Sequence, residues 1–298
     1  MRAVANAVQN SERVHGMSAV APRRRRREPA DYLKQAVLVV AAVVATIPVL
    51  FIALTSVKSD NQYSNDVLGL PWPLRPGNFS EALRGGEFVT WFKNSVILTG
   101  GAVICSTLVA ALAAFAIANM RFPGREVLLS LNVALMVVPP VVMLIPLFIQ
   151  FTELGLVSTY RGVILIYAGL TAPFSVYLLT SFFRSLPGEL FESATIDGAG
   201  HGRILWSVVL PLARPALVTL VIVNSLWVWN ELLVALVFLP REELKTLMVG
   251  VTLFQGRYSL NVPVLMAGML VASTPMALLY LAGQRYFIRG LTAGALKG

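Results

Sequence analysis

"ESATIDGAGHGRILWSVVLPLARP", residues Glu192 to Pro215, stands between two long apolar runs in a chain of 298 residues. Just ahead of it, Pro187 suits the first turn of a helix, and Glu189 falls where an acid favours the positive end of the helix dipole. Leu190, Phe191 and Ala194 give that short helix one apolar face. Asp197-Gly198-Ala199-Gly200 stops it, with Gly198 free to take positive φ. Ile204, Leu205, Val208, Val209 and Leu212 then recur at i, i+1, i+4, i+5 and i+8, which predicts a second, amphipathic helix. Pro211 bends or ends this helix, and Pro215 restarts the chain as a new span. The segment reads as helix, glycine turn, helix: a finger projecting from a membrane and expected to fold apart from the span core. Ala194, Gly198, Ala199 and Gly200 leave its tip almost without side chains, so it can enter a partner's cleft at close range. The competing reading is a loop lying flat on the bilayer.

The membrane itself follows from composition. Apolar residues make up 56% of the chain and charged residues 13%, whereas charged residues are about 25% of a soluble globular domain. Six stretches are apolar enough to span: Leu33–Leu54, Ser95–Asn119, Val127–Phe151, Val163–Phe183, Ala216–Leu239 and Pro263–Gly283. Pro139, Pro140 and Pro146 interrupt the third, and kinks of that kind are expected there. The first span is too long for a signal-peptide core and lacks a small-x-small cleavage pattern, so it reads as an uncleaved anchor. The fold class is an all-α membrane protein of six transmembrane helices, with the finger between helices 4 and 5. Residues 1–32 form a basic tail expected to be disordered, and 33–298 the transmembrane domain.

Lys and Arg in the short loops divide evenly, eight inside and eight outside. Orientation therefore rests on the run Arg23–Arg27, which places the N-terminus in the cytoplasm and, after six spans, the C-terminus as well. Five arginines could serve a nucleic-acid arm or an anionic-lipid contact; beside a first span the run reads as a topology signal with incidental lipid attraction, and no nucleic-acid partner is expected. The longest outside segment, Thr55–Asn94, contains "LPWPLRPGNF" and is expected to run extended over the membrane surface. Phe88, Trp91 and Phe92 are expected to anchor it at the interface. Asn78-Phe79-Ser80 matches a glycosylation sequon, a triplet too frequent by chance to carry weight. Cys105 is alone and reads as a small buried side chain.

Absent chemistry narrows the function. The sequence holds no G-x-x-x-x-G-K-[ST], no H-E-x-x-H, no C-x-x-C and no G-x-S-x-G. Its two histidines, His15 and His201, fall in the tail and the finger, so no buried pair is expected to serve a metal or a nucleophile. No cofactor is expected in this chain.

The finger resembles the E-A-A-x-x-x-G-x9-I-x-L-P loop of permease subunits in bacterial ATP-binding-cassette importers. Glu192, Ala194, Gly198, Leu210 and Pro211 stand at matching positions, while Ser193 replaces an alanine and Val208 the isoleucine. "WNELLVALVFL" (Trp229–Leu239), "NSVIL" (Asn94–Leu98) and the ending "RYFIRGLTAGALKG" are similar to the second permease of maltose-type carbohydrate importers. The resemblance covers approximately residues 32–298. It implies a homologous permease as partner, two ATP-binding subunits that carry ATP and Mg, and an extracytoplasmic sugar-binding protein, all at a bacterial cytoplasmic membrane. The finger would be the coupling helix, with Glu192, Ser193, Ala194, Asp197, Gly198, Ala199, Gly200, Leu210 and Pro211 as its contact loop. In that family the tail, here Gly290, Leu291, Thr292, Ala293, Gly294 and Ala295, enters the interface between the ATPase subunits.

"NSLWVWNELL" puts Asn224, Trp227, Asn230 and Glu231 in or near hydrocarbon, where a carboxylate is expensive and faces an interior, a cavity or a partner. Asn224, Trp227 and Glu231 share one helical face, suited either to sugar recognition or to joining helices and gating. Rival classes are a secondary transporter, which normally shows internal repeats and several ion-coupling acids, and a membrane enzyme. A sugar-derived solute such as a polyol phosphate is a further substrate alternative.

Overall fold

The computed structural model describes residues 29–84, 86–257 and 261–295; side chains are described within these except for 29–31, 253–257 and 286–295. No strand occurs among the described residues. The chain divides into two compact units at Leu50/Phe51. The first holds most of helix α1 (Pro29–Thr55), whose apolar side chains from Tyr32 to Leu50 are all exposed.

The second unit holds the remaining elements: α2 (Asp60–Asn65), α3 (Gly77–Ala82), α4 (Glu87–Asn119), α5 (Arg125–Leu135), α6 (Pro140–Glu153) and α7 (Tyr160–Arg184). Then come α8 (Glu189–Ile196), α9 (His201–Ile204) running on through a π turn at Leu205–Val209, α10 (Leu210–Leu212), α11 (Arg214–Asn230), α12 (Leu233–Phe238), α13 (Leu247–Arg257) and α14 (Val262–Ala295). Helices α4 and α7 form the most extensive pair. Small residues let them approach: Ala102, Ala110 and Ala114 of α4 are fully buried.

Among the described residues four helices are long and apolar enough to cross a membrane, or up to six if each of two bent pairs counts as one span. Two spans depart from the sequence reading. The third is not kinked but folded back, α5 meeting α6 at 99°. Consecutive prolines explain the angle, since each lacks an N–H and each drives its predecessor out of helical conformation. Pro139 is extended, with ψ 129°, and Pro140 opens α6, whereas Pro146 is carried inside that helix. The fifth span does not run to Leu239. Helix α11 stops at Asn230 and α12 restarts at Leu233.

The segment Thr55–Asn94 differs too. It folds instead of lying extended: the buried Lys58 donates through Nζ to the carbonyls of Asp66 and Val67, at 3.0 and 2.7 Å. Asn78 is likewise buried and donates to the carbonyls of Ser56 and Lys58. Phe88 and Trp91 are not interfacial anchors. Helix α4 begins at Glu87, eight residues before the predicted span, and turns both rings into a core cluster with Trp229 and Leu247. Gly250 sits against the Trp91 ring so closely that an added Cβ would lie 2.1 Å from it. Asn94 ties this end together. It donates to the carbonyls of Glu243 and Lys245 and accepts from the Tyr160 hydroxyl, each within 2.8 Å.

Candidate functional site

Helix α8 ends in a full left-handed cap. The Gly198 N–H donates to the Thr195 carbonyl and the Ala199 N–H to the Ala194 carbonyl, and Gly198 takes φ +75°. An added Cβ there would meet nothing within 4 Å, so backbone conformation alone, and no neighbour inside this chain, calls for glycine. No residue of α8 is buried. Glu192, Ser193, Asp197, Gly198 and Gly200 are exposed, while Ala194 and Ala199 rest partly on the core. Ile196 is 85% exposed, an apolar side chain standing in the open at the tip. Sequence reasoning passed over it because it lies off the apolar face of α8; its place one residue before the cap was the available signal.

The finger's second half belongs to the span core, contrary to the expectation that it folds apart. Ile204, Leu205, Val209 and Ala213 are buried with Ala110, Ala114 and Phe115 of α4 and with Leu179 and Phe183 of α7. Pro211 causes the register of that face. Without its N–H the helix widens into the π turn, Leu210 N donating to the Leu205 carbonyl. The wider turn moves the buried face onto Ala213 and leaves Leu212 exposed, so the predicted i+8 position is wrong by one residue. Leu210 and Pro211 follow this turn in α10, and α11 departs at 78° to the finger.

The four polar positions predicted around the fifth span separate. Asn224 is buried and donates to Ser175 Oγ at 2.8 Å. Ser175 Oγ donates to the Thr171 carbonyl, and Thr171 Oγ1 to the Tyr167 carbonyl. Tyr167 OH then donates to Glu231 Oε2 at 2.8 Å. Tyr167, Thr171 and Ser175 were missed by sequence reasoning, although polar groups at i, i+4 and i+8 of an apolar helix were the visible signal. Glu231 does not share a helical face with Asn224 and Trp227. It lies in the break, where its carboxylate accepts from the N–H groups of Leu233, Val234 and Ala235 and so caps α12. Trp227 stands edge-on to the Tyr167 ring, 6.1 Å between centroids. It lines an apolar hollow of about 540 Å³ in the crook of the folded third span. Asn230 is exposed, bonds its own helix at the Leu226 carbonyl, and lines a separate hollow with Trp229.

Among the described residues no group of His, Cys, Asp or Glu is placed to hold a metal. Helix α14 continues through Gly290, Leu291, Thr292, Ala293, Gly294 and Ala295, but the contact expected of them lies outside the described side chains. The Arg23–Arg27 run and most of the tail also lie outside the described residues; the helix begins at Pro29, inside the stretch expected to be disordered.

Several helices apolar enough to cross a membrane, with a small-residue finger rooted among their ends, fit a membrane transport subunit. Residues 106–292 match the family of binding-protein-dependent transport system inner membrane components, and the chain belongs to that family. It is 37% identical over 262 residues, 88% of this chain and 95% of the other, to a putative ABC transporter permease protein of Caldicellulosiruptor sp.. It is 34% identical, over 88% of this chain and 96% of the other, to the melibiose/raffinose/stachyose import permease protein MelC of Bacillus subtilis. Among solved structures it is similar to a chain of a bacterial ABC transporter for the acidic polysaccharide alginate. That chain matches with a TM-score of 0.77 and 26% identity, covering 88% of this chain and 99% of the other.

Proposed function

We propose that this permease forms half of the membrane pathway of an importer for a di- or oligosaccharide, and that residues 187–215 are the joint through which ATP hydrolysis in partner chains moves it. The observation that carries the proposal is the two-part build of the finger. Its tip presents Gly198, Ala199, Gly200 and Ile196 to a partner, and its root is locked into the core of α4 and α7. A push on the tip is therefore delivered to the spans. The sequence has no nucleotide-binding loop, so ATP and Mg bind in two partner subunits. A second, homologous permease completes the pathway, and a sugar-binding protein delivers substrate from outside. Both termini are cytoplasmic, and Gly290–Ala295 reach the ATPase pair. The sugar class rests on the relatives, which import oligosaccharides and a polysaccharide. Glu231 and Asn224 set helix geometry along the pathway; Trp227 and Asn230 stand at its edges.

Vesicles containing the full complement of subunits test this. Uptake of labelled raffinose-type oligosaccharides is expected only with binding protein outside and ATP inside. Sugar movement by the purified chain alone, or uptake driven by an ion gradient without ATP, would overturn the proposal.

A further inference from the structure

A basic hollow of about 500 Å³ separates the finger from the span ends. The last residues of α4 and α7 wall one side, and the finger walls the other. Arg121, Arg125 and Arg184 line it with His201, against one lining carboxylate, Glu192. Glu126, just outside, pairs with Arg184 at 2.7 Å and with Arg125 at 3.4 Å, and Arg125 also donates to the Met120 carbonyl. Three guanidinium groups against two carboxylates leave one cation over. Arg121 is that one: it is exposed and has no ion pair among the described residues.

Helices α4 and α7 are apolar spans that end at Asn119 and Arg184. The hollow therefore sits where hydrocarbon gives way to headgroups. We propose that it binds a phosphate-type anion, with Arg121 as the main charge and Arg125 as the second. Guanidinium groups suit this ligand because their planar N–H pairs match phosphate oxygens. A lipid phosphodiester and free phosphate share that chemistry, and the depth of the hollow favours the lipid. An occupant touches spans and finger together and so stiffens the root. That consequence rests on the coupling role proposed above; binding does not.

The full-length chain, purified in mild detergent, is examined by native mass spectrometry with phosphatidylglycerol and with phosphatidylcholine. Phosphatidylglycerol is expected to be retained in preference. Arg121→Ala, at an exposed position, is expected to lower retention about tenfold, the size of one charge-assisted hydrogen bond. Arg161→Ala removes an exposed guanidinium at the opposite end of α7 and is expected to change nothing. If inorganic phosphate displaces the lipid, the site takes the phosphate group from either source; if it does not and Arg121→Ala still loses the lipid, the source is the lipid. Unchanged retention in Arg121→Ala, equal loss in Arg161→Ala, or equal retention of phosphatidylcholine would overturn the site. In the assembled importer, phosphatidylglycerol is expected to alter substrate-stimulated ATP hydrolysis less in Arg121→Ala. Intact binding without that difference would overturn only the stiffening.

Discussion

The tip and the root of the finger lie fewer than twenty residues apart and are held by opposite means. The root is fixed by burial: Val209 and Ala213 are fully enclosed and Leu205 nearly so. The tip is fixed by its own backbone, through a cap that ends α8 and a glycine at φ +75° with nothing near it. A root built in this way cannot move without the spans, and a tip built in this way leaves its own surface open. Damage to the two should therefore separate cleanly, stability failing at the root and assembly or coupling failing at the tip.

The largest effect is expected at the root. Val209→Asp places an unpaired carboxylate among Leu179, Phe183 and Leu220, at a cost of about 4 kcal/mol or more. Little folded protein should reach the membrane, read by immunoblot of washed membranes. Normal abundance with normal thermal unfolding would mean that the root is not core.

The break at Glu231 is a third kind of junction, held by hydrogen bonds instead of burial or backbone. Glu231→Ala removes the acceptor of the Tyr167 hydroxyl and the cap of α12, and should cost about 2–3 kcal/mol. Glu231→Gln keeps one acceptor oxygen and should lie between it and the native chain in detergent melting. If both variants melt like the native chain, the carboxylate does not hold the break.

Much of this was legible beforehand because it depends on spacing within one element. The oily composition fixed the class of protein, and the glycine after α8 announced its cap. What escaped depends on how elements meet. Proline content marked Pro139–Pro140 as an interruption, but a kink and a 99° fold-back leave the same trace in a sequence. Glu231 lay at i+7 from Asn224 only while α11 was assumed to continue. Once the helix stops at Asn230, the carboxylate belongs to the next one. Leu212 and Ala213 exchanged places because a π turn adds one residue to the period, which a fixed 3.6-residue repeat does not anticipate. The Trp91 ring looked like an interfacial anchor because nothing local reveals that Gly250, far along the chain, leaves room for it.

At the cap, Gly198→Val should cost about 1–3 kcal/mol of local strain, since a β-branched residue is poorly tolerated at that φ. The site is open, so the variant should fold and reach the membrane at normal levels. In the same preparation, ATPase pull-down or substrate-stimulated hydrolysis should fail, and uptake with it. Full stimulation and uptake would mean that the tip is not the joint.

The smallest effect on the chain itself, and the sharpest test of the tip, belongs to Ile196. Its side chain is 85% exposed, so Ile196→Ser removes almost no internal contact and should change stability by less than about 0.5 kcal/mol. Exposed apolar groups standing singly are common and carry no message by themselves. Ile196 differs in its setting, on a tip where Gly198, Ala199 and Gly200 follow within four residues and no other large apolar side chain stands. If that tip enters a cleft, Ile196 is the one apolar side chain there able to gain from being covered. Covering it fully is worth about 1.5–3 kcal/mol, so Ile196→Ser should weaken capture of the ATPase subunits by about tenfold or more. Detergent melting and a titrated pull-down on one preparation read both quantities. Unchanged melting with weakened capture places the partner on the tip. Unchanged capture leaves Ile196 in solvent in the assembled importer, and the contact must then be sought on the first turns of α8, around Glu189 and Glu192.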